Sequence, residues 1–290
     1  MNVFILFGQT ATGKTTKALE LVHQYDGEII NFDSRQIYKK LNIVTGKDKP
    51  TDSKCRIWLY DIVDPKNIFS SAEYADLAIN VINDVVSRGK TPILVGGTGY
   101  YLRHLLFGTP EIHIAEDWPL RKQLETKTIE ELQTLLNEKK PSFLEGMNNS
   151  DRNNPRRLIR RIEVADKGGY LPLTPQQETL TARLSVLQGC KNDFKISYLS
   201  FFHSLPSAAR EKITHRVEAR MAGGAVEEVK NLLKEGYSKN DPGLNAIGYQ
   251  QLIGYLRKEL TLSEAKKQWI TREVQYAKRQ KTYFNKYFSY

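Results

Sequence analysis

The N-terminal third of the chain alternates short apolar runs with longer stretches in which apolar side chains recur at helical spacing. The short runs are typical of strands in a parallel sheet that is covered on both faces. The longer stretches, residues 14–25 and 70–88, are typical of amphipathic helices, and the second opens with Ser70 and Glu73 at capping-box spacing. The predicted strands are residues 3–7, 28–32, 58–63 and 91–95. This alternation predicts an α/β fold with helices on both faces of a parallel sheet.

The middle and the end of the chain follow other patterns. Over residues 112–189 strand signals are scarce and polar helical stretches dominate, which predicts a small all-helical insert domain. Residues 195–202 are rich in Tyr, Phe and Ile and predict a strand that returns to the sheet, and most of the following sequence is helical. The predicted core therefore consists of residues 1–111 and 190–290.

A glycine-rich loop follows the first predicted strand and opens the first predicted helix, with the pattern G-x-x-x-x-G-K-[ST]. Its glycines allow backbone N–H groups to face an anion, and the helix N-terminus adds a partial positive charge. Lys14 can reach an outer phosphate, and the hydroxyl of Thr15 can hold Mg²⁺. The residues predicted to bind a di- or triphosphate are Gly8, Gln9, Thr10, Ala11, Thr12, Gly13, Lys14 and Thr15. The core is therefore predicted to be P-loop NTPase-like.

Polar side chains follow two further predicted strands. Asp33 ends the second strand, and Thr98 follows the strand that closes with Gly96 and Gly97. Ligands of an open parallel sheet bind beyond the carboxyl ends of its strands, so both side chains are expected to face the phosphate loop. Asp33 can hold Mg²⁺ through water or accept a proton from a nucleophile, and its structural alternative is an N-cap for a helix beginning near Ser34.

Charge and cysteine content narrow the class of protein. The 290 residues include 43 Lys and Arg against 33 Asp and Glu, a net charge of +10 that suits either a nucleic-acid partner or a solvated basic surface. The two cysteines, Cys55 and Cys190, form no metal-binding or disulfide spacing and are expected to be reduced thiols in a cytoplasmic protein. No apolar run approaches transmembrane length, so no membrane association is expected.

Several motifs occur in an order that resembles the tRNA dimethylallyltransferases along nearly the whole chain. A strand-end Asp-Ser, a Gly-Gly-Thr and a C-terminal Ala-Lys-Arg-Gln make the resemblance more specific than the phosphate loop alone. The segments are residues 8–15, 33–38, 95–101, 156–160, 246–250 and 271–282. No zinc module follows them in this sequence, so the resemblance is to the bacterial form.

The resemblance implies transfer of a dimethylallyl group from dimethylallyl diphosphate to the exocyclic amine of the adenine adjacent to the anticodon in tRNA. It implies that Asp33 is the general base, that Thr98 orients the reactants, and that Arg216 contacts the diphosphate beside Lys14. Mg²⁺ held by Thr15 is the expected cofactor, the tRNA anticodon stem-loop and dimethylallyl diphosphate are the expected partners, and a monomer is expected.

The tRNA-contacting residues expected from the resemblance and from the basic helices extend over both predicted domains. Arginines interleaved with aromatic residues suit phosphate contacts and base stacking, although the same pattern also suits a solvated helix face. The predicted contacts are Asp33, Ser34, Arg35, Gln36, Thr98, Arg121, Arg156, Arg157, Leu158, Ile159, Arg160, Gly248, Arg272, Lys278 and Arg279. The sequence departs from the family pattern over residues 42–48 and 56–60.

Other functions use the same motifs. A P-loop small-molecule kinase would bind ATP in the loop and use Asp33 to orient a hydroxyl. An adenylate isopentenyltransferase would prenylate free nucleotides and would not need the basic C-terminal helix. A nucleic-acid-binding switch that hydrolyses nucleotide is a third alternative, but no apolar strand ending in paired acids is evident.

Overall fold

A computed structural model describes residues 2–48, 55–108, 114, 116–168, 195–203 and 205–288. The chain forms two compact units, Met1–Leu106 with Thr179–Tyr290, and Phe107–Glu178. Residues 169–189 of the predicted insert domain, and Cys190, lie outside the described residues, so the domain limits inferred from the sequence stay a prediction. Cys55 is buried and forms no disulfide. No helix in the described part of the chain is long and apolar enough to cross a membrane.

The first unit is built on a parallel sheet of five strands in the order β3-β2-β4-β1-β5. The strands are β1 (Asn2–Gly8), β2 (Gly27–Asn31), β3 (Ile57–Trp58), β4 (Thr91–Gly96) and β5 (Lys195–Phe201). β1 lies between β4 and β5, with Phe4 opposite Ile93 on one side and Ser197 on the other. The predicted fold class, an α/β protein with a parallel sheet, is confirmed.

Helices cover the sheet in the first unit and make up the second unit. The helices are α1 (Lys14–Tyr25), α2 (Ser71–Ser87), α3 (Gly99–Phe107), α4 (Trp118–Leu124), α5 (Ile129–Lys139), α6 (Pro141–Glu145), α7 (Asn149–Arg152), α8 (Pro155–Asp166), α9 (Pro206–Ala222), α10 (Ala225–Lys234), α11 (Tyr249–Leu256) and α12 (Leu262–Tyr287). The predicted capping box is present, because Ser70 accepts a hydrogen bond from Glu73 N and the Glu73 carboxylate accepts one from Ser70 N. The amphipathic pattern therefore placed α1 and α2 correctly.

One local prediction was wrong, and one alternative is ruled out. The strand predicted over residues 58–63 ends after Trp58, because Leu59 and Asp61 adopt φ angles of 65° and 57°, outside the β region. No helix begins near Ser34 either, since residues 34–37 form a turn. The carboxylate of Asp33 accepts a hydrogen bond from Arg35 N within this turn and does not cap a helix.

The second unit is held by a leucine-rich core and one buried carboxylate. Leu132, Leu136 and Leu158 are fully enclosed in the core. The Glu163 side chain is also buried, and it accepts hydrogen bonds from the guanidinium groups of Arg121 and Arg160. These arginines lower the pKa of Glu163, against the opposing effect of burial. The buried carboxylate is therefore paired within its own unit, as stability requires.

Candidate active site

The phosphate loop closes against the end of β5. Gln9 N donates to Phe201 O at 2.9 Å, and a Cβ added to Gly8, whose φ is +139°, would lie 2.0 Å from the same oxygen. Gly13 adopts a φ of 84° immediately before α1, a left-handed conformation that glycine adopts without strain. Both glycines of the loop pattern are thus required by the backbone geometry, Gly8 by its close approach to Phe201 O and Gly13 by its positive φ.

The Lys14 ammonium group lies inside the loop. It donates to the carbonyl oxygens of Gly8, at 3.4 Å, and Gln9. Burial is the main cause that lowers the pKa of Lys14 to about 7, the positive charge of Arg216 lowers it further, and Asp33 opposes both. Lys14 and Arg216 therefore face the same space, and an anion bound there relieves their repulsion.

A first cavity of about 230 Å³ opens over the phosphate loop. Its polar wall includes Lys14, Thr15 and Arg216, and apolar side chains from the strand ends line it as well. The strand-end contributors are Ile29, Asn31, Asp33, Ile57, Tyr60, Val95, Gly96 and Gly97. The same cavity is thus lined by phosphate-binding groups at one end and by apolar side chains elsewhere.

Asp33 and Thr98 are held by short hydrogen bonds at the carboxyl ends of β2 and β4. Asp33 N donates to Asn31 Oδ1 at 3.0 Å, and Asp33 Oδ1 accepts from Arg35 N at 2.8 Å. Thr98 Oγ1 accepts from Ser34 N at 3.0 Å and donates to Ser34 Oγ at 3.3 Å. The two strand ends are joined through Ser34, which fixes the position of Thr98 relative to Asp33.

A second cavity of about 370 Å³ adjoins the first. Both cavities are lined by Thr10, Asp33 and Arg216, so these residues form the wall between them. The second cavity is otherwise lined by Ser34, Arg35, Val44, Thr45, Thr98, Arg220, Asn245, Ala246, Ile247, Glu273, Tyr276 and Arg279. The predicted base Asp33 and the predicted phosphate-binding Arg216 therefore face both spaces.

Arg216 and Arg220 lie one helical turn apart on α9. Arg216 donates to Thr10 Oγ1, and Arg220 donates to Glu273 Oε1 at 3.2 Å and to Thr45 O at 3.1 Å. Burial, and secondly the charge of Arg216, lower the pKa of Arg220 to about 10. Arg220 thus lines only the second cavity and is paired with Glu273, whereas Arg216 lines both cavities.

Helix α12 holds both loops of the site from one side. Gln280 Oε1 accepts from Thr10 N at 2.8 Å, and Gln280 Nε2 donates to Gly97 O at 2.9 Å. Gln9 Nε2 donates to Ala277 O at 2.9 Å. Gln280 is not among the site residues predicted from the sequence, although it is part of the Ala-Lys-Arg-Gln motif.

The segment that departs from the family pattern is anchored by the carboxylate of Glu228, and Lys47 within it forms an ion pair with Asp61. Glu228 accepts hydrogen bonds from the backbone N–H groups of Asn42, Ile43 and Val44, at 2.9, 2.6 and 3.2 Å. Gln36 is buried and donates to Thr45 O and to Gly46 O, at 3.3 and 2.8 Å. Its side chain therefore supports this segment and lines the first cavity, and the tRNA contact at Gln36 stays a prediction.

Three other predicted tRNA contacts are also buried. Leu158 and Ile159 belong to the hydrophobic core of the second unit, so their side chains cannot reach a nucleic acid at the surface. Gly248 is enclosed, because a Cβ there would lie 2.5 Å from Val44 and 2.8 Å from Trp269. These three positions were predicted as tRNA contacts from the family resemblance, whereas helical spacing by itself places Leu158 on the inward face of its helix.

The remaining predicted tRNA contacts differ in what their side chains do. The exposed ones are Arg35, Arg156, Arg157, Arg272, Lys278 and Arg279. Arg157 forms an ion pair with Asp151, and Arg121 and Arg160 bind the buried Glu163. Arg121 and Arg160 thus have a structural role within the second unit, which the sequence pattern did not indicate.

Comparison with known proteins extends the similarity beyond the phosphate loop. A model of the IPP transferase family matches residues 36–287. The tRNA dimethylallyltransferase of Acetivibrio thermocellus is 34% identical over 291 residues, covering 98% of this chain and 89% of that protein. The full-length tRNA isopentenylpyrophosphate transferase of Bacillus halodurans has a TM-score of 0.65 and 28% identity, over 98% of this chain and 86% of that chain. A eukaryotic dimethylallyltransferase acting on tRNA has a TM-score of 0.77 and 27% identity, over 98% of this chain and 69% of that chain.

Lys14 is expected to take up a proton when the first cavity binds diphosphate. Its pKa of about 7 leaves most of the free protein uncharged at this position at pH 8, and a bound polyanion raises that pKa. Binding at pH 8 is therefore coupled to proton uptake, and the affinity falls as the pH rises above 7. Isothermal titration calorimetry in two buffers with different ionisation enthalpies measures the number of protons taken up.

The matched control is Lys14→Arg, which keeps its charge at pH 8 and takes up no proton at this position. Proton exchange by the diphosphate itself is common to both proteins and cancels in the difference. Equal proton uptake by the two proteins would contradict a Lys14 that is largely uncharged before binding.

Proposed function

The chain belongs to the IPP transferase family, and on this premise we propose that it transfers a dimethylallyl group from dimethylallyl diphosphate to tRNA. The acceptor is the exocyclic amine of the adenine adjacent to the anticodon, and diphosphate is released. The chain is accordingly an enzyme, a prenyl transferase that modifies tRNA.

The observation that carries this proposal is the wall shared by the two cavities. A transfer reaction needs two substrates that meet at one point, and Asp33 and Arg216 face both spaces. The first cavity has phosphate-binding groups and an apolar surface, which match a prenyl diphosphate. The second has the polar side chains of Thr98 and Tyr276, which match a purine base with its amine.

On the donor side, the protein stabilises the leaving diphosphate. Negative charge accumulates on the diphosphate as the allylic carbon–oxygen bond breaks, and Lys14, Arg216 and the loop N–H groups are aimed at that charge. Binding of the diphosphate raises the pKa of Lys14, so the ammonium form is present when the bond breaks. The apolar side chains of Ile29, Ile57 and Val95 exclude water from the prenyl group.

On the acceptor side, Asp33 removes the proton from the amine. The nitrogen lone pair forms the new bond to the allylic carbon, the carbon–oxygen electrons leave with the diphosphate, and the N–H proton passes to the Asp33 carboxylate. One carboxylate oxygen is occupied by Arg35 N, and the other accepts no hydrogen bond from the described residues. The target adenine must leave its stack to reach this position, so base extrusion is part of the proposal.

The side chains of the first cavity fit Mg²⁺. Hydroxyl and carboxylate oxygens are the donors that Mg²⁺ prefers, and Thr15, Asp33 and Asp48 line this cavity. We propose that Thr15 holds the ion directly and that Asp48 binds its waters. When bound, the ion would neutralise charge on the diphosphate.

The exposed cations provide a surface for tRNA. Arg272, Lys278 and Arg279 lie on α12, and Arg279 also lines the second cavity. In the other unit, Arg156 and Arg157 are exposed on α8. A single chain lines both cavities, which supports a monomer as the working unit, and cytoplasmic tRNA is the proposed substrate.

The alternative functions are not favoured. The relatives that match nearly the whole chain are tRNA dimethylallyltransferases, and neither a kinase nor an adenylate isopentenyltransferase is among the similar proteins described above. The second cavity beside Asp33 and the cationic face of α12 also suit a base presented by a polynucleotide better than a free nucleotide.

A transfer assay tests the function directly. The protein is incubated with radiolabelled dimethylallyl diphosphate and Mg²⁺, and either unmodified tRNA or AMP is supplied as the acceptor. Label on tRNA alone is expected. Label on AMP alone would show that the enzyme prenylates free nucleotides. Label on neither acceptor would favour the alternative in which the phosphate loop binds ATP in a small-molecule kinase.

Replacement of the proposed base should separate chemistry from binding. Asp33→Ala is expected to lower the single-turnover rate of transfer by about 10²–10⁴-fold, because the amine proton then has no acceptor. The tRNA dissociation constant should change by less than about twofold, since charge-driven phosphate contacts dominate tRNA binding. Rapid-quench kinetics and filter binding measure the two quantities. Asp76→Ala, at an exposed position of α2, is the control, and full activity of Asp33→Ala would rule out the general-base role.

Arg279 is expected to contact tRNA phosphate. Arg279→Ala should weaken tRNA binding and reduce the slope of log K against log salt concentration by about one, as the loss of a single phosphate contact does. The measurement is a salt titration of tRNA binding. Arg257→Ala removes another exposed arginine and serves as the control. An unchanged slope for Arg279→Ala would exclude Arg279 from the phosphate contacts.

A further inference from the structure

A buried amide on α12 joins the two loops of the active site. Gln280 is 5% exposed, its Oε1 accepts from Thr10 N at 2.8 Å, and its Nε2 donates to Gly97 O at 2.9 Å. These bonds require an acceptor and a donor on the same planar group, which a side-chain amide provides. Gln280 is therefore a cross-link between the phosphate loop and the loop that follows β4.

Each end of this cross-link leads to a group proposed to act in the reaction. Thr10 lines both cavities, and its hydroxyl accepts a hydrogen bond from Arg216. Gly97 directly precedes Thr98, whose hydroxyl accepts from Ser34 N at 3.0 Å. Gln280 thus connects the loop that carries the diphosphate-binding groups to the loop that carries Thr98.

The surroundings of Gln280 leave little freedom for this spacing to change. A Cβ added to Gly97 would lie 2.2 Å from Gln280 Nε2, so the loop approaches the amide as closely as glycine allows. The neighbouring residues of α12 hold the same loops, because Ala277 O accepts from Gln9 Nε2 at 2.9 Å and Tyr276 OH donates to Gly97 O at 3.5 Å.

We propose that Gln280 is a positioning residue that sets the distance between the reacting carbon of the donor and the amine of the acceptor. This inference rests on the proposed prenyl transfer. Gln280 acts through Thr10 and Gly97, and it belongs to the helix whose exposed face carries Arg279 toward the tRNA.

The expected effect is on the rate of the chemical step and not on binding. Lys14 and Arg216 still hold the diphosphate when Gln280 is changed, and the exposed cations still hold tRNA. A shift of about 1 Å between reacting groups lowers a rate by about 10²-fold, even when both substrates are bound. Loss of kcat with unchanged substrate affinities is therefore the signature of this role.

The experiment uses Gln280→Met and Gln280→Glu in the full chain. The methionine variant has a side chain of similar length and loses both hydrogen bonds. The glutamate variant retains the acceptor for Thr10 N and loses the donor to Gly97 O. Gln275→Glu, the same change at an exposed position of α12, is the matched control. Single-turnover transfer rates and the dissociation constants for inorganic diphosphate and for tRNA are measured for each protein.

The glutamate variant also provides a rescue. Its new carboxyl group regains an O–H donor when it is protonated, so the neutral acid restores the bond to Gly97 O. The ratio of the variant rate to the wild-type rate is therefore expected to rise as the pH falls. The other charged groups of the first cavity are common to all the proteins; they are Lys14, Asp33, Asp48 and Arg216. Gln280→Met adds no titratable group, so its rate ratio measured over the same pH range is the baseline for the glutamate variant.

The outcomes separate this inference from the proposed function. Wild-type transfer to tRNA must be present, and its absence would overturn the function and the inference together. Given that activity, an about 10²-fold slower rate with both dissociation constants changed less than about twofold, and recovery of the glutamate variant at low pH, supports positioning. Equal loss of rate and binding, or a glutamate variant that shows no recovery, would overturn it and leave Gln280 a residue of general stability.

Discussion

The parallel pairing of β1 with β4 is the interaction on which the active site depends. Leu6 lies opposite Val95 and Phe7 opposite Gly96, so the phosphate loop and the Gly97-Thr98 loop leave the sheet at the same level. Parallel strands direct their carboxyl ends to one edge, where ligand sites form. The neighbouring β2 ends at this edge as well and delivers Asp33. The central strand, β4, lies between β1 and β2 and thus brings phosphate-binding and acceptor groups together.

Helix α12 holds in place the two loops that leave the sheet at the active site. A sheet edge by itself would leave its loops open to water, and loops without packing partners move easily. The polar contacts from Gln280, Tyr276 and the carbonyl of Ala277 join α12 to both loops. Because the opposite face of the same helix carries exposed cations, one element supports the chemistry inside and presents charge to the solvent outside.

The arginines fall into two groups: some face the cavities, and others pair with buried carboxylates of the protein. Arg216 points at the cavities, whereas Arg220, one turn away, is buried against Glu273. In the second unit Arg121 and Arg160 share the buried Glu163. A buried guanidinium group is costly unless it pairs with a carboxylate. The arginines that lie beside a buried acid are therefore paired within the protein, and the other arginines can bind a ligand or tRNA. Net charge alone does not make that distinction.

The sequence by itself determined the fold class, the phosphate loop and the candidate residues at the ends of the strands, because these depend on local periodicity and short-range spacing. The positions of Gly8, Gly13, Lys14, Asp33 and Thr98 follow from strand–loop–helix order alone. The tertiary structure decided what depends on contacts between distant segments: the third strand stops at Trp58, Gln36 supports the segment at Thr45 and Gly46, Gly248 packs against Val44 and Trp269, and Ile159 enters a core. Gln280 reaches Thr10 across 270 positions of sequence, a contact no local pattern encodes. Burial and pairing are properties of the packed chain, and for that reason only the structure assigned them.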